Sequence, residues 1–470
     1  MIAVLNRTTT EAPSSGSSAL ARIGSVVFWL AVWQGVSMLV GSSFILAGPL
    51  DTAAALARLV PTGSFWSHVA FSAMHIVAGA VLGYLAASAC ALAAHRLHAV
   101  RLLLRPAMAA IKGTPIACIV VILLIWIGSR NASTAAVFLM VLPAIYFPML
   151  GALDSVDPRM RELADVFGMR GARRALAVVW PHVLPYLRAA SETALSMSWK
   201  AGVAAELIGT PTGSIGERIY QAKLLLETAD LFAWTVTVIA VAWLLERVAL
   251  MLLDATWPAA GSLAVRLARS RRSLTASPAA SERAAILSTS ELVVGHDDLA
   301  AAGPFTFTVR GGETLVLMGP SGAGKTTLLS TIARQCEPRS GVVQLAAETN
   351  LSAVFQDARL IDQLSCLDNI LLVAPGSDAC ALLAELGLAE VAGRPADMLS
   401  GGQRRRLELA RALAAPAQLT LLDEPFTGLD EGARDLALTF LDRHRGDRAI
   451  VLSTHNPRDA ERLGARILRI

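Results

Sequence analysis

Two patterns of apolar and polar positions divide this chain. Up to residue 254 the apolar positions come in runs of about twenty, separated by short loops containing arginine; from residue 285 they come in runs of four or five, between polar stretches with helical spacing. The long runs predict six membrane-crossing helices, over 23–41, 69–92, 107–128, 134–153, 189–209 and 232–254. At 1.5 Å per residue each can cross a hydrocarbon core of about 30 Å. The short runs predict strands alternating with helices, an α/β domain over 285–470. Residues 1–22 are rich in Ser and Thr and are expected to be disordered; 257–284, with its Ser, Ala and Pro, reads as a linker. Arg22 ahead of the first apolar run imitates a secretory signal, but no clean small-residue cleavage site follows, so that run is expected to stay as the first span.

Basic residues in the loops give the orientation. The loops after the second and fourth spans carry Arg96, Arg101, Arg105, Arg159, Arg161, Arg170, Arg173, Arg174 and Arg188, whereas the other loops carry only Arg58, Arg130, Arg218 and Lys223. The first set is expected on the cytoplasmic side, which places both ends of the membrane unit and the whole α/β domain inside the cell. Composition sharpens this picture. Apolar residues make up 54% and charged residues 17%, against about 25% charged in ordinary soluble domains, and the mean hydropathy is +0.53. A disordered, collagenous or disulfide-scaffold protein is excluded. The net charge of +4 is too mild to point to nucleic acid, and the basic run Arg266, Arg269, Arg271 and Arg272 just past the last span reads as a cluster resting on anionic lipid headgroups. Cys90, Cys118, Cys336, Cys366 and Cys380 form no metal-binding spacing and are expected to be reduced packing thiols.

The chemistry lies in the second half. The apolar run 314–318 is followed at once by Gly319, Pro320, Ser321, Gly322, Ala323, Gly324, Lys325, Thr326 and Thr327, which match G-x-x-x-x-G-K-[ST] in a strand–loop–helix setting. Glycines let the backbone fold tightly, so that successive N–H groups and the helix N-terminus face phosphate oxygens. Lys325 is expected to reach the β- and γ-phosphates of a bound nucleotide and Thr326 to hold Mg²⁺. A second apolar run, 419–422, ends in Asp423 and Glu424. Asp423 suits Mg²⁺ coordination, and Glu424 is placed to orient or deprotonate the attacking water. Between them lie Leu399, Ser400, Gly401, Gly402 and Gln403 at the start of an Arg-rich helix; Gln356 and His455 each follow a strand, and Asp430 follows Gly428-Leu429.

With these motifs in this order, residues 285–470 resemble the nucleotide-binding domain of an ATP-binding cassette (ABC) transporter. The resemblance implies that Gln356 touches Mg²⁺ and water, that Ser400, Gly401, Gly402 and Gln403 cap ATP held by the opposite subunit, that Asp430 contacts the partner cassette, and that His455 meets the γ-phosphate. No Tyr or Phe stands where that family stacks an aromatic on adenine; Gly295-His296-Asp297 takes the place, with His296 the candidate substitute.

The loop after the fourth span contains Glu162, Ala164 and Gly168, then nine residues, then Val178-Val179-Trp180-Pro181. Glu162, Ala164, Gly168 and Pro181 match the EAA loop of ABC importer permeases, with Leu163, Val178 and Trp180 replacing commoner residues. The resemblance implies a short cytoplasmic helix, ended by a Gly turn, that docks beside Gln356. Most of 23–254 resembles the permeases of the nitrate, sulfonate, taurine, bicarbonate and thiamine-precursor group, which work with a solute-binding protein. The expected architecture is therefore an all-α, six-span membrane domain of the type I importer kind followed by an α/β P-loop NTPase domain of ABC type. Two copies supply both halves of the machine, so a homodimer in the cytoplasmic membrane is expected. Within the fifth span Lys200 lies near mid-membrane, where a charge costs about 2.5–3.5 kcal/mol on insertion scales. It is read as lining the path of an anionic solute, or as a structural ion pair with a carboxylate such as Glu206 of the other copy, since Glu206 lies about 120° away round the same helix. His75 in the second span reads as a hydrogen-bonded helix contact. An exporter is the competing reading, favoured by the order of membrane segment then ATPase. Its long cytoplasmic helices are missing, however: the longest such loop, 154–188, has 35 residues. A non-transporting ATP-dependent sensor is disfavoured by intact Lys325, Asp423 and Glu424.

Overall fold

The computed structural model describes residues 15–271, 285–295 and 302–470. His296, most of the expected disordered N-terminus and the second half of the expected linker lie outside these residues. In chain order the helices of the first half are α1 (Ser15–Val40), α2 (Pro49–Leu59), α3 (Gly63–Arg96), α4 (His98–Gly113), α5 (Ile116–Ile127), α6 (Ser129–Asp154), α7 (Pro158–Val166), α8 (Ala172–Arg174), α9 (Trp180–Gly209), α10 (Ile215–Leu224) and α11 (Thr228–Arg271). Contacts divide the chain into two compact units. One comprises the residues up to Gly151 with Leu187–Leu252; the other comprises Ala152–Tyr186 with Leu253–Ile470.

In the first unit, helices approach closely where small residues permit it. Gly79 and Gly83 lie four apart on α3, and a Cβ at Gly79 would stand 2.4 Å from the Thr134 carbonyl oxygen and 2.9 Å from Val137 Cβ of α6. At Gly83 it would meet Val141 Cβ at 2.8 Å. This small-xxx-small spacing lets the two backbones touch, which is how helices gain packing in lipid where no hydrophobic force separates them from the solvent. The Thr134 hydroxyl donates across the contact to the His75 carbonyl at 3.1 Å. Gly202 of α9 abuts Ile76 in the same way.

Among the described residues, four helices are long and apolar enough to cross a membrane, over Ile23–Val40, Gly63–Arg96, Ser129–Asp154 and Thr228–Ala268, or five if α4 and α5 count together. Several expectations change here. The span expected over 107–128 is broken between α4 and α5, whose axes differ by 104°. Pro115 disfavours helical backbone at the residue before it, and Thr114 is extended (φ −85°, ψ 129°). The helix around 189–209 exists as part of α9, yet it falls short of the apolar ones because Arg188, Glu192, Lys200 and Glu206 share its 30 residues. The last span does not stop at 254; α11 continues without a break through Arg271, so the first half of the expected linker is helical. Residues 15–22 are helical as well, inside the stretch expected to be disordered. The thiols depart from expectation too. All five cysteines are free, but Cys118 and Cys380 are exposed and only Cys366 is fully packed.

The second unit adds β1 (Ala285–Val294), β2 (Ala302–Arg310), β3 (Thr314–Met318), α12 (Lys325–Ile332), β4 (Ser340–Leu345), β5 (Leu351–Val354), α13 (Cys366–Leu371), α14 (Ala379–Glu385), α15 (Gly401–Ala414), β6 (Leu419–Asp423), α16 (Glu431–His444), β7 (Ala449–Ser453), α17 (Pro457–Arg462) and β8 (Arg466–Arg469). Its centre is a parallel sheet in the order β5-β6-β7-β3-β8, flanked by an antiparallel sheet in the order β2-β1-β4. β6 and β7 are buried at every residue, as strands covered on both faces must be. The helical loop 152–186 belongs to this unit: Leu163 and Ala164 of α7 are fully buried, in one core with Ile361, Leu364, Leu372 and Val373.

Candidate nucleotide site and its docked loop

Open parallel sheets bind ligands beyond the carboxyl ends of their strands, and here four neighbouring strands deliver their chemistry to that edge. Register aligns them: Leu317 of β3 lies opposite Ser453 of β7, Asp423 of β6 opposite the same Ser453, and Val354 of β5 opposite Leu422. The loop 319–324, Gln356, Asp423-Glu424 and His455 therefore emerge side by side.

Between β3 and α12, Gly322 and Gly324 hold φ of +83° and +92°. The turn leads straight into the first amides of α12, and its Lys325 ammonium folds back to donate to the carbonyls of Gly319 (2.8 Å) and Pro320 (2.9 Å). The curled loop of N–H groups around an ammonium is a ready cradle for phosphates. The hydroxyl of Thr326 donates to Gln356 Oε1 over 3.4 Å, and Thr326, Gln356 and Asp423 line one cleft. Asp423 accepts from the Ser453 hydroxyl on Oδ1 (2.6 Å), which orients its carboxylate. A hydroxyl, an amide oxygen and a carboxylate make an all-oxygen donor set, which fits a hard cation such as Mg²⁺.

Glu424 sits in the left-handed region at φ +46°. Such backbone is costly for a non-glycine residue unless its surroundings hold it. They do: its N–H donates to the Ser453 hydroxyl at 2.9 Å, and its carbonyl accepts from Arg405 at 2.7 Å. The side chain is thereby aimed at His455, whose Nε2 lies 2.5 Å from Glu424 Oε1, while the Thr427 hydroxyl donates to Oε2 at 3.1 Å. A carboxylate and an imidazole held together at a sheet edge can share and pass a proton.

The remaining motif residues are set apart from this cluster, with Ser400, Gly401 and Asp430 exposed and Gly402 and Gln403 half-buried. Ser400 caps α15, accepting from the Gln403 amide, and the Gln403 side chain accepts in return from the Ser400 N–H. This capping box occupies the Gln403 side chain and leaves Ser400 and Gly401 at the surface, with Gly402 beside Gly428 and Leu429. Asp430 caps α16 by accepting from the Ala433 amide at 2.7 Å.

Within the loop, α7 ends before Gly168 (φ +61°), and Pro181 starts the buried part of α9. Glu162 Oε2 accepts from Arg359 Nη1 at 2.6 Å and Arg159 lies 3.2 Å from Asp357, so α7 is paired to the segment just after Gln356. Burial and then the adjacent Glu162 carboxylate push the Cys336 thiol up. In the other unit, Lys200 is exposed, whereas Glu206 is fully buried. Glu206 Oε2 accepts from the Ser72 hydroxyl (2.7 Å) and the Gly216 amide (3.3 Å). The two side chains share no face, so Glu206 does not accompany Lys200 along an open path. His75 Nδ1 lies 2.9 Å from the Phe71 carbonyl, a contact within its own helix.

Several residues that organise the site were missed. Arg404, Arg405 and Arg406 read as one basic run, yet they go to three places: Asp362, the Asp423-Glu424 carbonyls and the Leu386 carbonyl. Glu408, three residues after Arg405, is the one available signal, because i,i+3 places opposite charges together on a helix.

Comparison with known proteins agrees with this arrangement. The sequence model of the ABC transporter family matches residues 303–427. That of the binding-protein-dependent transport system inner membrane component matches 79–255. A thiamine import ATP-binding protein of Jannaschia sp. (strain CCS1) is 36% identical over 34% of this chain and 79% of its own length. A second one, from Chelativorans sp. (strain BNC1), is 37% identical over 38% of this chain and 83% of its own. An aliphatic sulfonates import ATP-binding protein of Nocardia farcinica (strain IFM 10152) is 36% identical over 38% and 78%. With apolar helices in one unit and a phosphate cradle facing a carboxylate–imidazole pair in the other, the chain belongs to the ABC transporter family, an ATP-hydrolysing membrane protein of the importer type that carries permease and ATPase on one polypeptide.

Proposed function

We propose that two copies of this chain form an importer in the cytoplasmic membrane, moving a small anionic solute handed over by an extracytoplasmic solute-binding protein. The observation that carries this reading is the seat of α7: a loop of permease type lies against the segment that follows Gln356, through Glu162–Arg359 and the buried Leu163 and Ala164. Exporters have no loop of this kind. Six crossings are proposed for each copy, counting α4–α5 as one bent span and α9 as another. The exposed face of α9, with Glu192, Thr193 and Lys200, supports a polar path shared with the second copy rather than contact with lipid. The relatives named above handle thiamine and sulfonates; the choice of an anion rests on Lys200.

In the proposed cycle ATP sits on the amides of 319–326 with Lys325 on its outer phosphates. Thr326, Gln356 and Asp423 would hold Mg²⁺, which supplies charge neutralisation when bound. Ser400, Gly401 and Gly402 of the other copy cap the nucleotide, and Asp430 contacts the partner. Closure of the pair draws Gln356 and its docked α7, and the membrane helices open outward. Glu424 takes the proton of the attacking water, with His455 holding the carboxylate and meeting the γ-phosphate. Hydrolysis then releases the closed pair.

Proteoliposomes test this reading. ATP-dependent uptake of small anions, each supplied with a candidate solute-binding protein, is expected for wild type, and Lys200→Gln is expected to lose affinity for anions by about tenfold or more. A Lys200→Gln variant with unchanged affinity and selectivity would remove the anion path, and outward movement of solute would remove import.

A further inference from the structure

We propose that Arg405 and Glu408 are positioning residues that connect the seat of α7 to the hydrolytic edge through one chain of polar contacts, buried at Arg405, Glu408 and Arg411 and reaching the surface at Glu162. This rests on the ATPase reading above and goes beyond it, since neither side chain touches nucleotide. Arg405 gathers three backbone carbonyls that flank the reactive groups: Phe355, immediately before Gln356, at 2.5 Å; Asp423 at 2.8 Å; and Glu424 at 2.7 Å. Only a planar fork with several donors can hold three carbonyls in this way. Its charge is met by Glu408, whose Oε2 accepts from Arg405 at 3.1 Å. The Arg405 and Glu408 side chains are 7% and 0% exposed, so neither has water as an alternative partner.

Glu408 faces the other way as well. Its Oε1 accepts from the backbone N–H of Arg359 at 2.6 Å. The Arg359 guanidinium lies 3.8 Å from the centre of the Phe355 ring and donates to Glu162 of α7. A second branch runs through Arg411, 3.9 Å from Glu408 Oε1 and 5.1 Å from the ring of Phe167, at the end of α7. Both loop contacts, at Glu162 and at Phe167, therefore converge on one carboxylate, and that carboxylate sets the arginine that fixes Gln356 and Glu424. When α7 shifts, Arg359 and Arg411 change what Glu408 can offer Arg405. The low-dielectric surroundings keep such a change from being screened.

The test uses full-length protein in lipid nanodiscs, with ATPase kinetics, nucleotide binding measured separately and thermal unfolding. Arg405→Lys keeps the charge opposite Glu408 but cannot span three carbonyls. It is expected to lower kcat by about 10–100-fold, with the ATP KM within about threefold of wild type and Tm little changed. Glu408→Gln and Glu162→Gln are expected to lower kcat, and in the double variant their effects should not multiply, because both act through one chain. A wild-type kcat in Arg405→Lys, or effects of Glu162→Gln and Glu408→Gln that multiply, would overturn the relay. Should Glu408→Gln fail to fold, Arg405→Lys and Glu162→Gln decide by the same criterion. A wild-type chain that hydrolyses no ATP would instead overturn the ATPase reading on which the relay stands.

Discussion

Glu424→Gln is expected to bind ATP with near wild-type affinity and to turn it over about 10²–10⁴-fold more slowly, the usual cost of losing a positioned general base. The substitution leaves the cradle alone: Lys325 and its carbonyls at 2.8 and 2.9 Å are untouched, as is the Thr326–Gln356–Asp423 cleft. It also leaves the backbone alone, since the left-handed turn at 424 is held through its own N–H and carbonyl. Glutamine has the size to keep the Thr427 contact, and its amide can still meet His455. What it cannot do is accept a proton from water. Phosphate release and equilibrium binding of a fluorescent ATP analogue separate the two effects. Phosphate release at the wild-type rate would take the base away from Glu424, and lost binding would show that the carboxylate had supported the cradle.

The second large effect is expected in the membrane unit. Gly79→Leu places a branched side chain where a single Cβ would already stand 2.4 Å from the Thr134 carbonyl oxygen. Backbone cannot retreat as a flexible side chain can, so α3 and α6 must separate. The separation breaks the Thr134–His75 hydrogen bond and the packing at Gly83–Val141. Overpacking a well-filled contact costs about 1–3 kcal/mol when neighbours adjust, and here the nearest neighbour is a fixed carbonyl. Most of the variant is therefore expected to be lost from the monodisperse peak on size exclusion in detergent, with Gly79→Ala intermediate. A Gly79→Leu protein that elutes and unfolds like wild type would refute the close crossing.

How far these features could be read from sequence depends on whether their cause is local. The phosphate loop, Asp423 and Glu424 were legible because a short strand followed by a fixed order of residues is itself the physical requirement for holding phosphate. The break at Thr114–Pro115 was not. Pro106, Pro143, Pro148, Pro185 and Pro258 all lie inside continuous helices, so proline alone does not mark an interruption. The polarity of α9 was visible residue by residue, but sequence could not say that Lys200 faces outward while Glu206 is enclosed by Ser72 and Gly216. The function of Arg405 was hidden in the same way: three arginines in a row have one composition and three destinations, and only the packing of β5 and β6 against α15 distinguishes them.

The residence of the 152–186 loop in the same compact unit as the ATPase has a consequence for fidelity. Where engine and gate are separate polypeptides, the gate must select its own engine from a cytosol full of look-alikes. Here the covalent link holds the local concentration of the matching surface near the millimolar range, a regime in which a free competitor at micromolar abundance seldom wins the seat. On the importer reading proposed above, partner choice would be settled at translation, leaving the Glu162–Arg359 contact free to grip or release with each cycle.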